Sequence, residues 1–223
     1  MNRLGHFVFK QRYRMLRPMR DLEDLRALSA LKPLTSGARY LAWTPMSMRP
    51  SAVALVVNEI VIAGRRNIVE CGSGISTLLI ARLLRTRPGH LWSVEHDRAW
   101  AALVKEWVEA EGLADRVTFV EADLDDGWYC RETLEEQLPD GRFDLLIVDG
   151  PPAYSRAIMH ARYQAVPFFR ERLAGDWTVV LDDIHRRGEY EVADRWSHDL
   201  GRPVTRRLLE GVGVARASVG FEV

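Results

Sequence analysis

A disulfide framework is excluded at once, because the 223 residues include only two cysteines, Cys71 and Cys130. That scarcity fits a reducing compartment, and a cytoplasmic location is the expectation. No apolar run approaches membrane-spanning length, and the first residues lack the uninterrupted apolar stretch of a signal peptide. Net charge is absent too, with 31 basic against 31 acidic side chains. No global field therefore draws the chain to nucleic acid or acidic lipid. Repeats, low-complexity tracts and linkers are missing, and the length suits one α/β domain with a sizeable core.

The balanced charge is unevenly placed. Arg3, Lys10, Arg12, Arg14, Arg17 and Arg20 precede any acid, with Phe7, Val8, Phe9, Tyr13, Met15 and Leu16 interleaved. Two readings stand: an amphipathic segment that touches a membrane surface, an anionic substrate or a partner subunit, or an extension packed on the domain. Association with a second copy is left open. A short helix is expected over 21–31, a turn-rich loop over 33–50, and an apolar helix over 51–62. Residues 1–50 thus read as a basic extension with a lid segment, and residues 51–223 as the main domain.

The most informative stretch begins at Asn67. Ile68 and Val69 end an apolar strand, Gly72 and Gly74 permit a tight turn and close ligand approach, and residues 75–84 repeat apolar side chains at helical spacing. A dinucleotide would want a third glycine at position 77 and no anion in the loop, whereas Thr77 and Glu70 stand there. A carboxylate in that place suits a ligand carrying an ammonium group. Downstream, candidate strands at 91–95, 117–120, 143–149 and 177–183 alternate with candidate helices at 75–85, 98–110, 156–173 and 190–200, as βαβ units require. The tail, 204–210 and 213–219 around Gly211 and Gly213, leaves no room for a helix and predicts a closing hairpin.

Glu70, Gly72 and Gly74 resemble the E-x-G-x-G loop of class I S-adenosylmethionine (SAM)-dependent methyltransferases. The resemblance covers roughly residues 50–220. It implies a Rossmann-like, doubly wound α/β fold: a mostly parallel seven-stranded sheet with an antiparallel last strand and helices on both faces. It implies SAM as cofactor, held by Glu70, Gly72, Ser73, Gly74, Ser76 and Thr77. Glu95, about twenty residues past the loop, falls where a carboxylate meets ribose hydroxyls. His96 lines the site beside it, Asp123 is the adenine candidate, and Asp149 faces the reaction. Trp43 and Ser47, in a segment like that of small bacterial methyltransferases of unassigned substrate, are assigned to a lid over cofactor or substrate, or else to packing on the first helix.

Asp149, Asp182 and Asp183 end adjacent strands, and three oxygen ligands there suit Mg²⁺. The arrangement is similar to the metal-dependent small-molecule O-methyltransferases, with Asp183 in place of their Asn and Pro152 in place of their Lys. In the alternative, Asp149 orients substrate while Asp182 and Asp183 cap a turn or pair with Arg186 or Arg187. His185 is the first candidate for general base, with Tyr154 and His160 as rivals. Asp149, Gly150, Pro151 and Pro152 do not match the D-P-P-Y order of nucleic-acid amino-methyltransferases, since Gly150 intervenes.

The function expected is methyl transfer to oxygen of a small-molecule or sugar-like acceptor, with Mg²⁺ assistance as one of two readings. The alternatives are transfer to nitrogen of a small molecule, protein or nucleic acid, and SAM binding without catalysis. Aminopropyl transfer is not excluded by three acids alone. No nucleic-acid partner is expected.

Overall fold

The computed structural model describes residues 3–37 and 40–218. Its centre is a parallel array of β1 (Asn67–Cys71), β2 (His90–Glu95), β3 (Val117–Glu121), β6 (Phe143–Val148) and β7 (Leu173–Leu181). A hairpin of β8 (Thr205–Arg207) and β9 (Val212–Arg216) closes one edge, with β9 antiparallel to β7. The seven strands run in the order β3-β2-β1-β6-β7-β9-β8, and the sheet is mostly parallel with β9, the last strand, antiparallel, as the resemblance implies. Chain direction along the sheet reverses between β1 and β6, and the carboxyl ends of those strands leave a crevice where ligands bind in such sheets. A separate two-residue pair, β4 (Leu124–Asp125) with β5 (Trp128–Tyr129), turns at Asp126 and Gly127, both at positive φ.

Side-chain alternation divides the core. Ile68, Leu91, Leu145, Ile147 and Val180 face α4 (Pro50–Ile62) and α5 (Ile75–Leu84). Val69, Val94, Leu146, Val148, Val179 and Leu181 point the other way, toward α8 (Ala165–Phe169) and α9 (Arg187–Asp199). Both faces of a parallel sheet are covered, which is why its strands read as continuous apolar runs. Further helices are α1 (Arg3–Met15), α2 (Arg17–Ala30), α3 (Lys32–Thr35), α6 (Arg98–Glu109) and α7 (Arg131–Gln137).

Three expectations need correction. Residues 3–30 are helical almost throughout, from Arg3 to Ala30, rather than over 21–31 alone. The helix expected over 156–173 is broken into turns, the short α8, and 3₁₀ turns at Ala161–Gln164 and Arg170–Arg172. A continuous helix would put Pro167 in its interior, where the ring clashes and a hydrogen bond is lost; in the first turn of α8 it is tolerated. Strand β7 begins at Leu173, four residues before the expected start at 177. Val219, at the end of the predicted hairpin, lies outside the described residues. No helix among those described is long and apolar enough to cross a membrane.

One charged group interrupts the apolar helix α4. Glu59 is fully buried; it accepts from Thr178 Oγ1 at 2.7 Å and pairs with Arg216, whose Nε lies 2.9 Å from Oε1. This triad ties α4 to β7 and to the antiparallel edge strand. Removing one member of a buried pair leaves the other charge uncompensated. Glu59→Ala is expected to lower the unfolding free energy by about 3 kcal/mol, read as a lower urea midpoint at unchanged slope; an unchanged midpoint would show that the triad contributes nothing net.

Candidate active site

The loop after β1 is built on a buried carboxylate. Glu70 has no exposed surface. Its Oε1 accepts from Ser76 Oγ at 2.5 Å, and its Oε2 accepts from Thr77 Oγ1 at 2.5 Å and Ser93 Oγ at 3.2 Å. Thr77 Oγ1 in turn accepts the Gly74 N–H at 2.9 Å, at the start of α5. The carboxylate therefore holds the first turn of α5 onto β1 and β2. Burial pushes its pKa up to about 7, against the opposing pull of the three hydroxyls. The expectation that Glu70 and Thr77 hold the cofactor is corrected: both are fully buried beneath the loop and neither lines the cavity above it.

Two glycines have a steric reason. Gly72 adopts φ +96°, and a Cβ there would come within 2.9 Å of the Gly150 backbone nitrogen. At Gly150 a Cβ would lie 2.5 Å from the Tyr129 hydroxyl. The β1 and β6 loops can thus pass in contact only as glycines. Gly74 differs, because a Cβ there meets nothing within 4 Å and the space above it is open.

That space belongs to a cavity of about 410 Å³. One wall is Gly72, Ser73, Gly74, Ile75 and Ser76, and a second is Glu95, His96, Asp97 and Trp100. A third is Asp149, Gly150, Pro151, Pro152, Tyr154, Arg162, Asp183 and Arg186, while Thr44, Met46, Ser47 and Met48 cover it from the N-terminal side. Glu95 is nearly buried and accepts three backbone N–H groups, from Ser73 at 3.0 Å, His96 at 2.8 Å and Asp97 at 2.9 Å. It locks the ends of β1 and β2 together while still facing the cavity.

The strand-end acids do converge: oxygens of Asp149, Asp182 and Asp183 lie within 4.8 Å of one another. Asp183 achieves this at φ +59°, a conformation that Asp tolerates better than most residues. Sequence reasoning missed the cation among them. Arg162, almost fully buried, places Nη1 3.2 Å from Asp183 Oδ2 and Nη2 3.4 Å from Asp149 Oδ1, and its Nε donates to the Pro151 carbonyl at 3.1 Å. Arg186 reaches Asp183 Oδ2 at 2.8 Å, the pairing weighed as an alternative to metal binding. Glu189 lies behind, 3.8 Å from Arg162, with its pKa pushed to about 7 by burial. Burial likewise raises the carboxyls of Asp149 and Asp182, the latter well above the usual range, with Arg162 opposing both.

Other expected site residues fall outside the cavity walls. Asp123 is exposed and paired with Arg98 at 2.9 Å. Asp182 is buried behind Asp183. His185 stacks on the Tyr13 ring, centroids 4.7 Å apart and planes 2° from parallel, so α1 covers its face. Trp43 donates Nε1 to the Met48 carbonyl at 3.0 Å and packs on the core, whereas Ser47 lines the cavity. His160 is bound to Glu191 at 2.6 Å. Trp100 and Tyr129 also line the cavity; the Trp100 Nε1 donates to the Ser73 carbonyl at 2.8 Å.

The raised Glu70 carboxyl makes a pH prediction. An acid whose folded pKa lies near 7 against 4.5 unfolded holds more protons when native, so its stabilising contribution is complete below about pH 4.5 and lost as pH rises through 7. Between those limits the loss is on the order of 3 kcal/mol. In urea titrations across this range, Glu70→Gln should lose that much less stability than the parent chain. Parallel pH profiles would contradict the assignment.

The comparisons agree with this geometry. The family described as Methyltransferase domain matches residues 69–184, slightly more than half the chain. Similar solved structures include the Podospora anserina methyltransferase PaMTH1 with bound S-adenosylhomocysteine (SAH), at 16% identity, TM-score 0.54 and 86% coverage of both chains. The Bacillus cereus O-methyltransferase in complex with SAH aligns at 13% identity and TM-score 0.53, over 86% of this chain and 90% of that one. TomG, the Streptomyces achromogenes O-methyltransferase involved in tomaymycin synthesis, solved with SAM, aligns at 18% identity and TM-score 0.53, over 85% and 87%. At such identities the likeness is one of fold. No curated protein matches the chain. With the glycine loop, the switch-point crevice and the family match in register, the chain belongs to the methyltransferase-domain family, the class I SAM-dependent methyltransferases.

Proposed function

We propose that this chain transfers the methyl group of SAM to an oxygen of a small-molecule or sugar-like acceptor. The observation that carries the reading is the cavity itself, with Glu95 and the glycine loop on one side and the Asp149–Arg162–Asp183 cluster on the other. SAM would lie along the loop, its ribose hydroxyls toward Glu95 and its sulfonium toward Asp149. The O-methyltransferase neighbours support oxygen as the acceptor atom.

Methyl transfer is an in-line displacement. The acceptor oxygen forms a bond to the methyl carbon, the carbon–sulfur bond breaks with its electron pair left on sulfur, SAH departs, and the hydroxyl proton must leave. The protein's part is alignment and proton acceptance. Asp149 is assigned the position beside the acceptor, with Arg162 fixing its carboxylate. The proton-accepting role expected of His185 passes to Asp149, since the imidazole is stacked under Tyr13 and does not line the cavity. Residues 40–48 serve as the lid, through Thr44, Met46, Ser47 and Met48.

Mg²⁺ assistance extends this reading. The donor set fits a divalent ion by chemistry: carboxyl oxygens of Asp149, Asp182 and Asp183 lie within 4.8 Å of one another, the hard ligands such an ion takes. Asp149, Asp182 and Asp183 would hold the ion, which when bound lowers the pKa of an acceptor hydroxyl.

Two measurements test the proposal. Glu95→Ala is expected to weaken SAM binding by one to two powers of ten in calorimetry, about 1.4 to 3 kcal/mol, because ribose hydroxyls lose a charged acceptor; an unchanged Kd would sink that contact. Methyl-labelled SAM should label a small-molecule or glycan fraction of cell extract, and Asp149→Asn should abolish labelling while leaving the SAM Kd within about twofold. Loss of labelling in chelator, restored by Mg²⁺, would support the metal, and full activity in chelator would remove it. Label confined to protein or nucleic acid would overturn the acceptor assignment.

A further inference from the structure

Helices α1 and α2 form one nearly continuous rod. Hydrogen bonds cross the joint from the Leu16 N–H to the Arg12 carbonyl at 3.1 Å and from the Arg20 N–H to the Leu16 carbonyl at 2.9 Å. At 100° per residue the rod has two distinct sides. Tyr13, Arg20, Ala27 and Leu31 share one, and all four are buried. Tyr13 stacks on His185, and the Arg20 guanidinium lies 3.6 Å from the Tyr13 ring centre. The opposite side carries Phe7, Val8, Met15, Met19, Leu22 and Leu25, all between 51% and 74% exposed. These six span about 27 Å of helix at 1.5 Å per residue. An apolar ridge of that length on water marks an interaction surface.

Charge distinguishes the occupants. Arg12 and Arg14 edge the ridge on either side, Arg26 lies within it and pairs with Glu23 at 3.4 Å, Lys10 and Arg17 lie further round toward the packed side, and all five are exposed. Among the described residues, Lys10, Arg12 and Arg14 have no acidic partner. Asp21, the one exposed acid of this rod among them, is shared between Arg17 and Arg49. A second copy docked about a twofold axis would set this cationic ridge against its own image. An anionic lipid headgroup layer offers both what the apolar side chains and what the unpaired cations lack.

We infer that the ridge of α1 and α2 is a peripheral membrane-binding surface, lying in the plane of an anionic lipid bilayer with Met15, Met19, Leu22 and Leu25 at the acyl boundary and Arg12 and Arg14 on the headgroups. It is independent of the proposed acceptor. Because the buried side of the same rod holds His185, next to the cavity acids, docking would fix the orientation of the site on the bilayer.

Sedimentation of the full chain with phosphatidylglycerol–phosphatidylcholine vesicles tests this, with phosphatidylcholine alone as control. Binding is expected to the anionic vesicles only and to weaken as salt rises. Met19→Asp with Leu22→Asp should reduce it about tenfold or more while the melting temperature is unchanged, and Arg12→Glu with Arg14→Glu should do the same without touching the apolar ridge. No sedimentation with anionic vesicles, or equal binding to neutral ones, would overturn the inference. So would a dimer in solution that Met19→Asp with Leu22→Asp dissolves, since the ridge would then belong to a second copy.

Discussion

The site depends on a carboxylate that does not enter it. Glu70 is sealed under the glycine loop, where hydroxyls of Ser76, Thr77 and Ser93 reach both its oxygens. These bonds fix the end of β1, the start of α5 and the middle of β2 relative to one another. Glu95 repeats the device one strand over, collecting three backbone N–H groups, one of them from Ser73 in the same loop. A flexible loop of this composition would lose much conformational entropy on ordering around a ligand. Two buried acids absorb that cost during folding instead, so the cavity is formed before any ligand arrives.

A second balance governs the reactive side. Four acids crowd Arg162 and Arg186; burial raises the carboxyls of Asp149, Asp182 and Glu189, and the Arg162 guanidinium opposes that rise in each. Arg162 also holds the Pro151 carbonyl, so one side chain organises both the electrostatics of the cluster and the loop after β6. The chemistry proposed for Asp149 rests on that cation as much as on the acid.

Much of this was legible in the sequence. The central strands betray themselves as apolar runs buried on both faces, and α5 and α6 by their periodicity and punctuation, because local pattern and tertiary environment agree there. The acids at strand ends were legible because topology brings carboxyl ends together. Arg162 was not, since it comes from a segment whose apparent helical pattern Pro167 breaks, and nothing local marks an arginine for burial. Nor did the sequence show that Glu70 points down while Glu95 points in. Register puts both on one face of the sheet, since Glu70 pairs with Ser93 and Glu95 lies two residues on, so alternation does not separate them. What separates them is that packed hydroxyls enclose Glu70, whereas Glu95 meets backbone N–H groups at the strand end. His185 misled for the same reason: its partner, Tyr13, lies more than a hundred residues away and carries no motif.

The central claim is that one preformed cavity seats SAM along the β1–α5 loop with its sulfur facing Asp149 and Arg162. A crystal structure of the protein with SAH tests it most directly. The account predicts ribose hydroxyls on Glu95, the amino-acid end along Gly72 to Ser76, and sulfur open toward Asp149, with the loop unmoved. SAH bound elsewhere, or with its sulfur turned from Asp149, would contradict it.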